Sequence, residues 1–172
     1  TDPKKNTPGT LKAYAEYVRR SEKPLPLLIA DLGEQPAEAI LREIGEPRLR
    51  GMLRLAGYIP NSDLPAIYNR ASAFLYTSLR ESFGIPQLEA MACGTPAGTS
   101  ATSAIPEVAG QGAILVDPTD PTAIADALLR LETDAEFRAG QVAYGLERVK
   151  QFSWEKTARH LLALYESLGK TN

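Results

Sequence analysis

Short apolar runs alternate with amphipathic segments along residues 1–131 of this chain. The apolar runs predict five strands, at residues 25–30, 52–56, 73–77, 95–99 and 113–116. Between them, apolar residues recur at helical spacing and predict helices at residues 8–20, 36–46, 62–70, 85–93 and 121–131. Alternation of this kind is typical of a parallel sheet flanked by helices, so the sequence predicts an α/β fold.

The last part of the chain has a different pattern. No strand is predicted after residue 133, and two consecutive helices are expected at residues 135–150 and 153–168. Ser153 suits the N-cap of the second helix, because its hydroxyl can accept a backbone N–H. A chain of 172 residues is expected to form one domain. We therefore predict a single domain over residues 1–172, with an α/β core over residues 1–132 and C-terminal helices over residues 133–172.

Composition and charge exclude several classes of partner. The apolar fraction of 44% and the charged fraction of 23% are ordinary for a globular protein. A formal net charge of −2 gives no reason to expect nucleic acid or an anionic membrane. The single cysteine, Cys93, excludes an internal disulfide and a cysteine-based metal site. No apolar run is long enough to span a membrane, and no secretory leader is recognised, so a cytoplasmic protein is expected.

Two carboxylates, Glu81 and Glu89, stand eight positions apart around a glycine and a proline. Pro86 suits the first turn of a helix, where a missing N–H costs nothing. Gly94 suits the left-handed residue just past the last turn. The sequence therefore predicts a short buried helix, with Glu81 before it and Glu89 roughly one turn inside it.

The amino end of this helix is a candidate phosphate site. The N–H groups of Phe83, Gly84 and Ile85 are the donors that a helix leaves unpaired at its first turn. The helix dipole favours an anion at that end, and Gly84 allows a ligand to approach the backbone closely. A carboxylate can accept paired hydrogen bonds from vicinal hydroxyls. Two carboxylates flanking a phosphate site therefore suit a sugar nucleotide.

This stretch resembles the E-x7-E signature of retaining glycosyltransferases with the GT-B architecture, known as group 1 or glycosyltransferase family 4. Other segments resemble that family in the expected order, at residues 2–6, 57–60, 100–108 and 152–154. The resemblance implies a Rossmann-like parallel sheet flanked by helices, the C-terminal half of a GT-B fold, with two extra C-terminal helices. In the family a strand precedes the lysine turn at residues 2–6. Here none is predicted, so the first strand is expected to be missing.

The resemblance implies catalytic roles for Glu81 and Lys5. Glu81 matches the acid that faces the donor sugar near the reacting carbon, where it acts as a nucleophile, as an electrostatic stabiliser or as an orienting group. Lys5 matches the lysine that neutralises the diphosphate as charge develops on the leaving group. The alternatives are a surface charge beside Arg80 for Glu81, and a solvated lysine like its neighbour Lys4 for Lys5.

Other residues are implied in binding the nucleotide sugar. Glu89 matches the ligand of the ribose hydroxyls, and its apolar helix neighbours would otherwise leave a charge stranded. The alternative is a solvated glutamate in the first turns of the helix, favoured there by the helix dipole. Phe83, Gly84 and Ile85 match main-chain donors to phosphate or sugar. For Tyr58 a place in the core is an alternative. The residues implied to flank the ribose and the base are Leu88, Tyr58 and Ile59.

These matches predict the donor-binding domain of a retaining glycosyltransferase, which moves a sugar from a nucleotide diphosphate sugar to an acceptor hydroxyl. No cofactor is expected, since the nucleotide diphosphate sugar is the substrate, and no metal is expected. Residues 117–120 do not form the D-x-D pattern that chelates a cation in the other major glycosyltransferase architecture. The expected partner is the family's N-terminal acceptor domain, in the same or another chain, and without it the isolated chain is expected to be inactive. The alternative is a non-catalytic nucleotide-binding or association module.

Three further expectations concern single positions. Gly98 adds no packing to the fourth apolar run, so a short or irregular strand is predicted there. Trp154 is expected to pack at the entry of the last helix. Asn6 and Thr10 suit groups that support the site and, equally, ordinary residues at a helix start.

Overall fold

The structure is a computed structural model that describes residues 2–169. These residues contain five strands: β1 Leu27–Ala30, β2 Leu53–Gly57, β3 Phe74–Tyr76, β4 Ala97–Ser100 and β5 Ala113–Val116. They also contain eight α-helices: α1 Thr7–Arg20, α2 Glu34–Glu43, α3 Leu64–Arg70, α4 Ile85–Ala92, α5 Ile105–Ala109, α6 Pro121–Thr133, α7 Ala135–Val149 and α8 Trp154–Gly169. Two 3-10 turns, Pro3–Lys5 and Pro47–Met52, precede α1 and β2. Every predicted strand and helix is present, whereas α5 was not predicted because five residues are too few to show helical spacing.

All five strands described in residues 2–169 pair in parallel, and they form two separate sheets. One sheet consists of β1 and β2, and the other has the order β3-β4-β5. Within residues 2–169 no pairing joins β1 to β3, and the first strand along the chain is β1, which follows α1. In parallel α/β sheets the ligand site lies at the carboxyl ends of the strands, and the loop after β3 carries the two-acid motif.

The strand β4 is buried along its whole length. It pairs residue by residue with β3 on one side and β5 on the other. The prediction of an irregular strand at Gly98 is therefore wrong, whereas the strand is short, as predicted, with four residues. A Cβ added to Gly98 would lie 3.6 Å from Leu75 Cδ1 and 3.8 Å from Ala127 Cβ, which is ordinary van der Waals contact, so the side chains of Leu75 and Ala127 pack beside the glycine.

The helix α1 packs against both sheets. Its Leu11 and Tyr14 belong to a buried cluster built with β1, β2 and α2. Its Ala13 packs in a second cluster with Val116 of β5 and Ile124 of α6. The hydroxyl of Tyr14 donates to a backbone carbonyl before β1 at 2.6 Å, and burial raises the pKa of Tyr14 to about 12. The two sheets therefore share one covering helix.

The last helix, α8, is amphipathic and has no buried residue. Ser153 caps it as predicted, because its Oγ accepts the N–H of Lys156 at 3.1 Å. The prediction for Trp154 is wrong, since its side chain is 80% exposed. We define the α8 apolar surface as its exposed residues Leu161, Leu162, Leu164, Tyr165 and Leu168. Within residues 2–169 none of the helices combines the length and the apolar character needed to cross a membrane.

Candidate active site

The turn that carries Lys5 is fixed to the loop after β3. It begins at Asp2, whose carboxylate accepts the N–H of Lys4 at 3.0 Å. It ends at Asn6, which has the left-handed φ of 56°. The carbonyl oxygen of Lys4 accepts the N–H of Leu79 at 2.7 Å. These bonds place Lys5 beside the carboxyl end of β3, although the two segments are far apart along the chain.

Lys5 and Glu81, the two predicted catalytic residues, are in direct contact. The Nζ of Lys5 donates to Oε1 of Glu81 at 2.6 Å and lies 5.6 Å from the ring centroid of Tyr76. The Glu81 side chain is only 14% exposed. Partial burial would raise the pKa of Glu81, but the hydrogen bond from Lys5, helped by the nearby polar groups of Tyr76 and Ser78, outweighs that effect and holds the pKa below its ordinary value. Glu81 is therefore a firmly held anion at neutral pH, and the surface-charge alternative does not describe it.

The amino end of α4 is shaped as the sequence predicted. Gly84 precedes the helix with the left-handed φ of 89°, and a Cβ added there would lie 2.9 Å from Nε2 of Gln87. Among residues 2–169, the backbone N–H groups of Phe83, Gly84 and Ile85 have no hydrogen-bond acceptor. The side chains of Phe83 and Ile85 are about two-fifths exposed, at 43% and 42%. The predicted end of the helix is also present, because Gly94 has the left-handed φ of 71°.

Glu89 lies on the exposed side of α4. The argument that its charge would be stranded among apolar residues is therefore wrong, because the carboxylate reaches solvent. It accepts a long hydrogen bond of 3.4 Å from the hydroxyl of Tyr68 in α3. Burial, and then the nearby Glu89 charge, raise the pKa of Tyr68 to about 12. The tyrosine hence stays protonated and remains a donor to this acid.

A row of aromatic rings connects the two acids. Tyr68 packs edge to face on Phe74 with centroids 5.4 Å apart, and Phe74 stacks on Tyr76 at 5.8 Å. Tyr68 contacts Glu89 and Tyr76 contacts Glu81. The row therefore places both acids along one side of the β3–α4 unit. Sequence reasoning missed Tyr68 and Tyr76; a tyrosine five positions before Glu81 was visible, but its contact with that acid depends on the fold.

The residues predicted to flank the ribose and base are partly separated from the motif. Leu88 is half-buried and packs against the cluster that contains Met91 and Ala97. Tyr58 follows β2, in the other sheet, and is 79% exposed, which excludes the core alternative for it. Ile59 beside it is half-buried. The structure thus leaves the Tyr58 ring free to contact a ligand.

Neither a metal cluster nor a deep cavity marks the site. Within residues 2–169 no group of three or more His, Cys, Asp or Glu side chains could hold an ion. Asp117 accepts from the N–H and the hydroxyl of Thr119 at 2.8 and 2.7 Å, so its carboxylate stabilises a turn. A cavity of about 500 Å³ lies between α7 and the segments leading into β3 and β4, away from both acids. A second cavity of about 330 Å³, beside β5 and α6, includes neither acid either.

The parallel sheets, the covering helices and a charged site at the strand ends define the class of α/β domains that bind ligands at this edge. The sequence matches the family described as Glycosyl transferases group 1 over residues 1–148, and the chain belongs to this family.

Two curated relatives illustrate the likeness. O-antigen chain mannosyltransferase B of Escherichia coli is 34% identical over 167 residues, which cover 97% of this chain and 44% of that protein. D-inositol 3-phosphate glycosyltransferase of Corynebacterium jeikeium is 38% identical over 165 residues, which cover 92% of this chain and 39% of that protein. The chain therefore spans less than half the length of these relatives.

Solved structures show the same fold. Sucrose-phosphate synthase from Thermosynechococcus elongatus superposes with a TM-score of 0.82 at 27% identity, over 99% of this chain and 44% of that one. Anabaena HepE in complex with UDP-glucose gives a TM-score of 0.82 at 18% identity, over 97% of this chain and 46% of that one. The second likeness concerns the fold alone. Together they confirm the predicted fold class, a Rossmann-like half of a GT-B glycosyltransferase.

Proposed function

We propose that this chain is the donor-binding domain of a retaining glycosyltransferase and binds a nucleotide diphosphate sugar. The observation that carries the proposal is the contact of Lys5 with Glu81 beside three unpaired backbone N–H groups at the start of α4. A cation and a helix amino end both attract a diphosphate. The acid next to them would then face the sugar attached to that diphosphate.

Each predicted site residue receives a role in this arrangement. Lys5 and the N–H groups of Phe83, Gly84 and Ile85 bind the diphosphate. Glu89 accepts hydrogen bonds from the ribose hydroxyls with one carboxylate oxygen, while the hydroxyl of Tyr68 donates to the other carboxylate oxygen. The residues that line the ribose and base are Leu88, Tyr58 and Ile59. The exposure of Tyr58 and Glu89 supports these roles, because both groups are accessible before any ligand binds.

In the proposed reaction, the bond between the anomeric carbon and the β-phosphate oxygen breaks, and the acceptor hydroxyl oxygen bonds to that carbon with its configuration kept. The acceptor proton passes to the leaving phosphate oxygen. Lys5 stabilises the charge that develops there. Lys5 donates to Glu81 at 2.6 Å and the pKa of Glu81 is lowered, which favours electrostatic stabilisation of the cationic sugar over nucleophilic attack. No metal is required, because Lys5 and the helix end supply the positive charge.

The proposed partner is the N-terminal half of a longer glycosyltransferase. The curated relatives contain more than half of their length outside the region matched here. The α8 apolar surface supports this partner, because an amphipathic helix with no buried residue is unusual unless another surface covers it. That half would also complete a cleft over the site and bind the acceptor. The chain alone is accordingly proposed to bind donor without transferring sugar.

Calorimetric titration of UDP-, GDP- and ADP-sugars into the chain tests the proposal. We expect at least one donor to bind. Glu89→Gln should weaken it about 10- to 100-fold, since a hydrogen bond to a charged group contributes about 1.5–3 kcal/mol. Glu43→Gln, at an exposed acid of α2, is the matched control. Absence of binding by every donor, or equal binding by Glu89→Gln, would refute donor binding.

The alternative function is a nucleotide-binding module without transfer. Calorimetry alone does not separate it from the donor domain of an enzyme. Restoring the upstream region and assaying donor hydrolysis and transfer does, and Lys5→Met is then expected to lower turnover whereas Lys12→Met, at an exposed lysine of α1, is not. Donor binding with no turnover in the longer protein would favour the module.

A further inference from the structure

Asn6 occupies the junction between the Lys5 turn and α1, in a conformation that few residues adopt. Its φ of 56° and ψ of 34° are left-handed, and asparagine is among the residues that tolerate this conformation. Asn6 also makes no side-chain cap to α1. An ordinary residue at a helix start would cap it, so the side chain has another use.

The side-chain amide of Asn6 bonds to the ends of two strands. Its Nδ2 donates to the carbonyl of Thr77, after β3, at 3.1 Å and to the carbonyl of Pro118, after β5, at 2.7 Å. Thr77 and Pro118 are buried. A primary amide has two N–H donors, and both are used here. Because β4 lies between β3 and β5, this one group spans the carboxyl edge of the three-stranded sheet.

Two neighbours in α1 preserve this position. A Cβ added to Gly9 would lie 2.4 Å from Oδ1 of Asn6 and 2.8 Å from its Nδ2, so the glycine leaves the space that the amide occupies. The hydroxyl of Thr10 donates to the carbonyl of Asn6 at 3.0 Å and lies 2.5 Å from the hydroxyl of Thr77. The contacts form a bracket of four residues, which we call the Asn6 bracket: Asn6, Gly9, Thr10 and Thr77.

The Asn6 bracket holds the residue that directly precedes it. Lys5 is 45% exposed, and a flexible lysine at a surface turn would ordinarily sample many rotamers. Here its backbone is fixed on one side by the bracket and on the other by the bond from Leu79 to Lys4. We propose that Asn6 is a positioning residue that fixes Lys5 against Glu81 and so presets the cation for the diphosphate. The diphosphate part of this inference rests on the proposed function; the positioning part does not.

Asn6→Gly tests the positioning directly, because glycine keeps the left-handed backbone and removes the amide. The readout is the pKa of the Glu81 carboxyl group, followed by carboxyl-carbon NMR during a pH titration. Lys5→Met is expected to raise that pKa, since it removes a hydrogen bond that lowers it. Asn6→Gly should reproduce more than half of that rise in the Glu81 pKa. In the double variant with Lys5→Met and Asn6→Gly, the pKa of Glu81 should equal that in Lys5→Met alone. Asp31→Gly places glycine at another left-handed residue, after β1, and should leave the pKa of Glu81 unchanged.

Gly9→Ala provides a second variant that retains Asn6. The added methyl group should displace the amide and raise the Glu81 pKa as Asn6→Gly does. In the Asn6→Gly background the amide that the methyl group would displace is gone, so the same change should leave the pKa of Glu81 unaltered. A Glu81 pKa that equals the wild-type value in both Asn6→Gly and Gly9→Ala would overturn the proposal. So would a rise that persists when Asn6→Gly is added to Lys5→Met.

Titration of the donor that binds the wild-type chain most tightly tests the diphosphate part. Asn6→Gly should lower its affinity by about the factor that Lys5→Met does, and the double variant should lose no more. Equal affinity of Asn6→Gly and wild type would overturn a role in binding. If no donor binds the wild-type chain, the proposed function fails, and the Glu81 titration still decides whether Asn6 positions Lys5.

Discussion

Gly84→Ala is expected to destabilise the chain more than Gly45→Ala, although both glycines have positive φ, 89° and 77°. An L-residue in the left-handed region costs about 1–2 kcal/mol, and both variants incur this penalty. They differ in their surroundings. A Cβ at Gly45 has nothing within 4 Å, whereas one at Gly84 would lie 2.9 Å from Nε2 of Gln87, a fully buried side chain.

The difference between the two variants measures the displacement of Gln87. Moving this amide forces it off its rotamer, for about 0.5–1.5 kcal/mol, and breaks its 3.4 Å hydrogen bond to the Ile105 carbonyl, for at most about 1 kcal/mol. These two costs add about 0.5–2.5 kcal/mol to the shared penalty, so we expect Gly84→Ala to lose about 1.5–4.5 kcal/mol and Gly45→Ala about 1–2 kcal/mol. For a chain of this size each kcal/mol lowers the Tm by about 2–4 °C.

Urea unfolding followed by circular dichroism measures both losses, and calorimetry measures donor affinity in the same variants. Gly84→Ala should also weaken donor binding, because it tilts the amino end of α4, while Gly45→Ala should not. Equal losses of stability in the two variants would refute the contact with Gln87. A stable Gly84→Ala variant with unchanged affinity would refute the left-handed start of α4 as the basis of the site.

Three shorter predictions concern charge and packing. Because the folded-state pKa of Glu81 is lowered, its stabilising effect relative to Glu81→Gln is present at neutral pH and is lost as the pH falls through that pKa, which unfolding curves between pH 3 and 7 would show. Gly145→Ala places a Cβ 3.2 Å from Cγ of Met91 and should cost about 1–3 kcal/mol, whereas Gly140→Ala, open to solvent in the same helix, should not. Tyr14→Phe removes a 2.6 Å hydrogen bond and should cost about 1 kcal/mol in the same assay.

The outcomes that would contradict them are equally specific. A pH-independent difference for Glu81→Gln would mean that Lys5 does not hold the carboxylate. Equal stability of Gly145→Ala and Gly140→Ala would mean that α7 does not pack tightly on α4. Full stability of Tyr14→Phe would mean that water replaces the hydroxyl.

The strands were predictable because apolar runs between turn residues are local features. All five predicted runs overlap the observed strands, and β5 has the predicted bounds, Ala113–Val116. The beginning and the end of the short helix α4 were also predictable, since Pro86 and Gly94 set the backbone conformation at their own positions. The division into two sheets was not, because pairing partners are set by tertiary contacts and no local residue pattern records them.

The chemical identities of the site were predictable, but not its supporting contacts. Lys5 and Glu81 were predicted separately, from different motifs, and the structure brings them to 2.6 Å. The tyrosines beside the acids and the two bonds of Asn6 depend on distant segments meeting. Exposure was the weakest inference: Glu89 reaches solvent although its apolar neighbours on α4 suggested otherwise, and Trp154 reaches solvent although it was expected to pack at the entry of α8.

The position of α1 has a consequence for how the chain unfolds. Leu11 and Tyr14 lie in one buried cluster, and Ala13 lies in the other. Detaching α1 would expose both clusters to water at once, so unfolding of one sheet is expected to destabilise the other. Heating should accordingly give a single cooperative transition, with equal van't Hoff and calorimetric enthalpies, despite the break between β1 and β3.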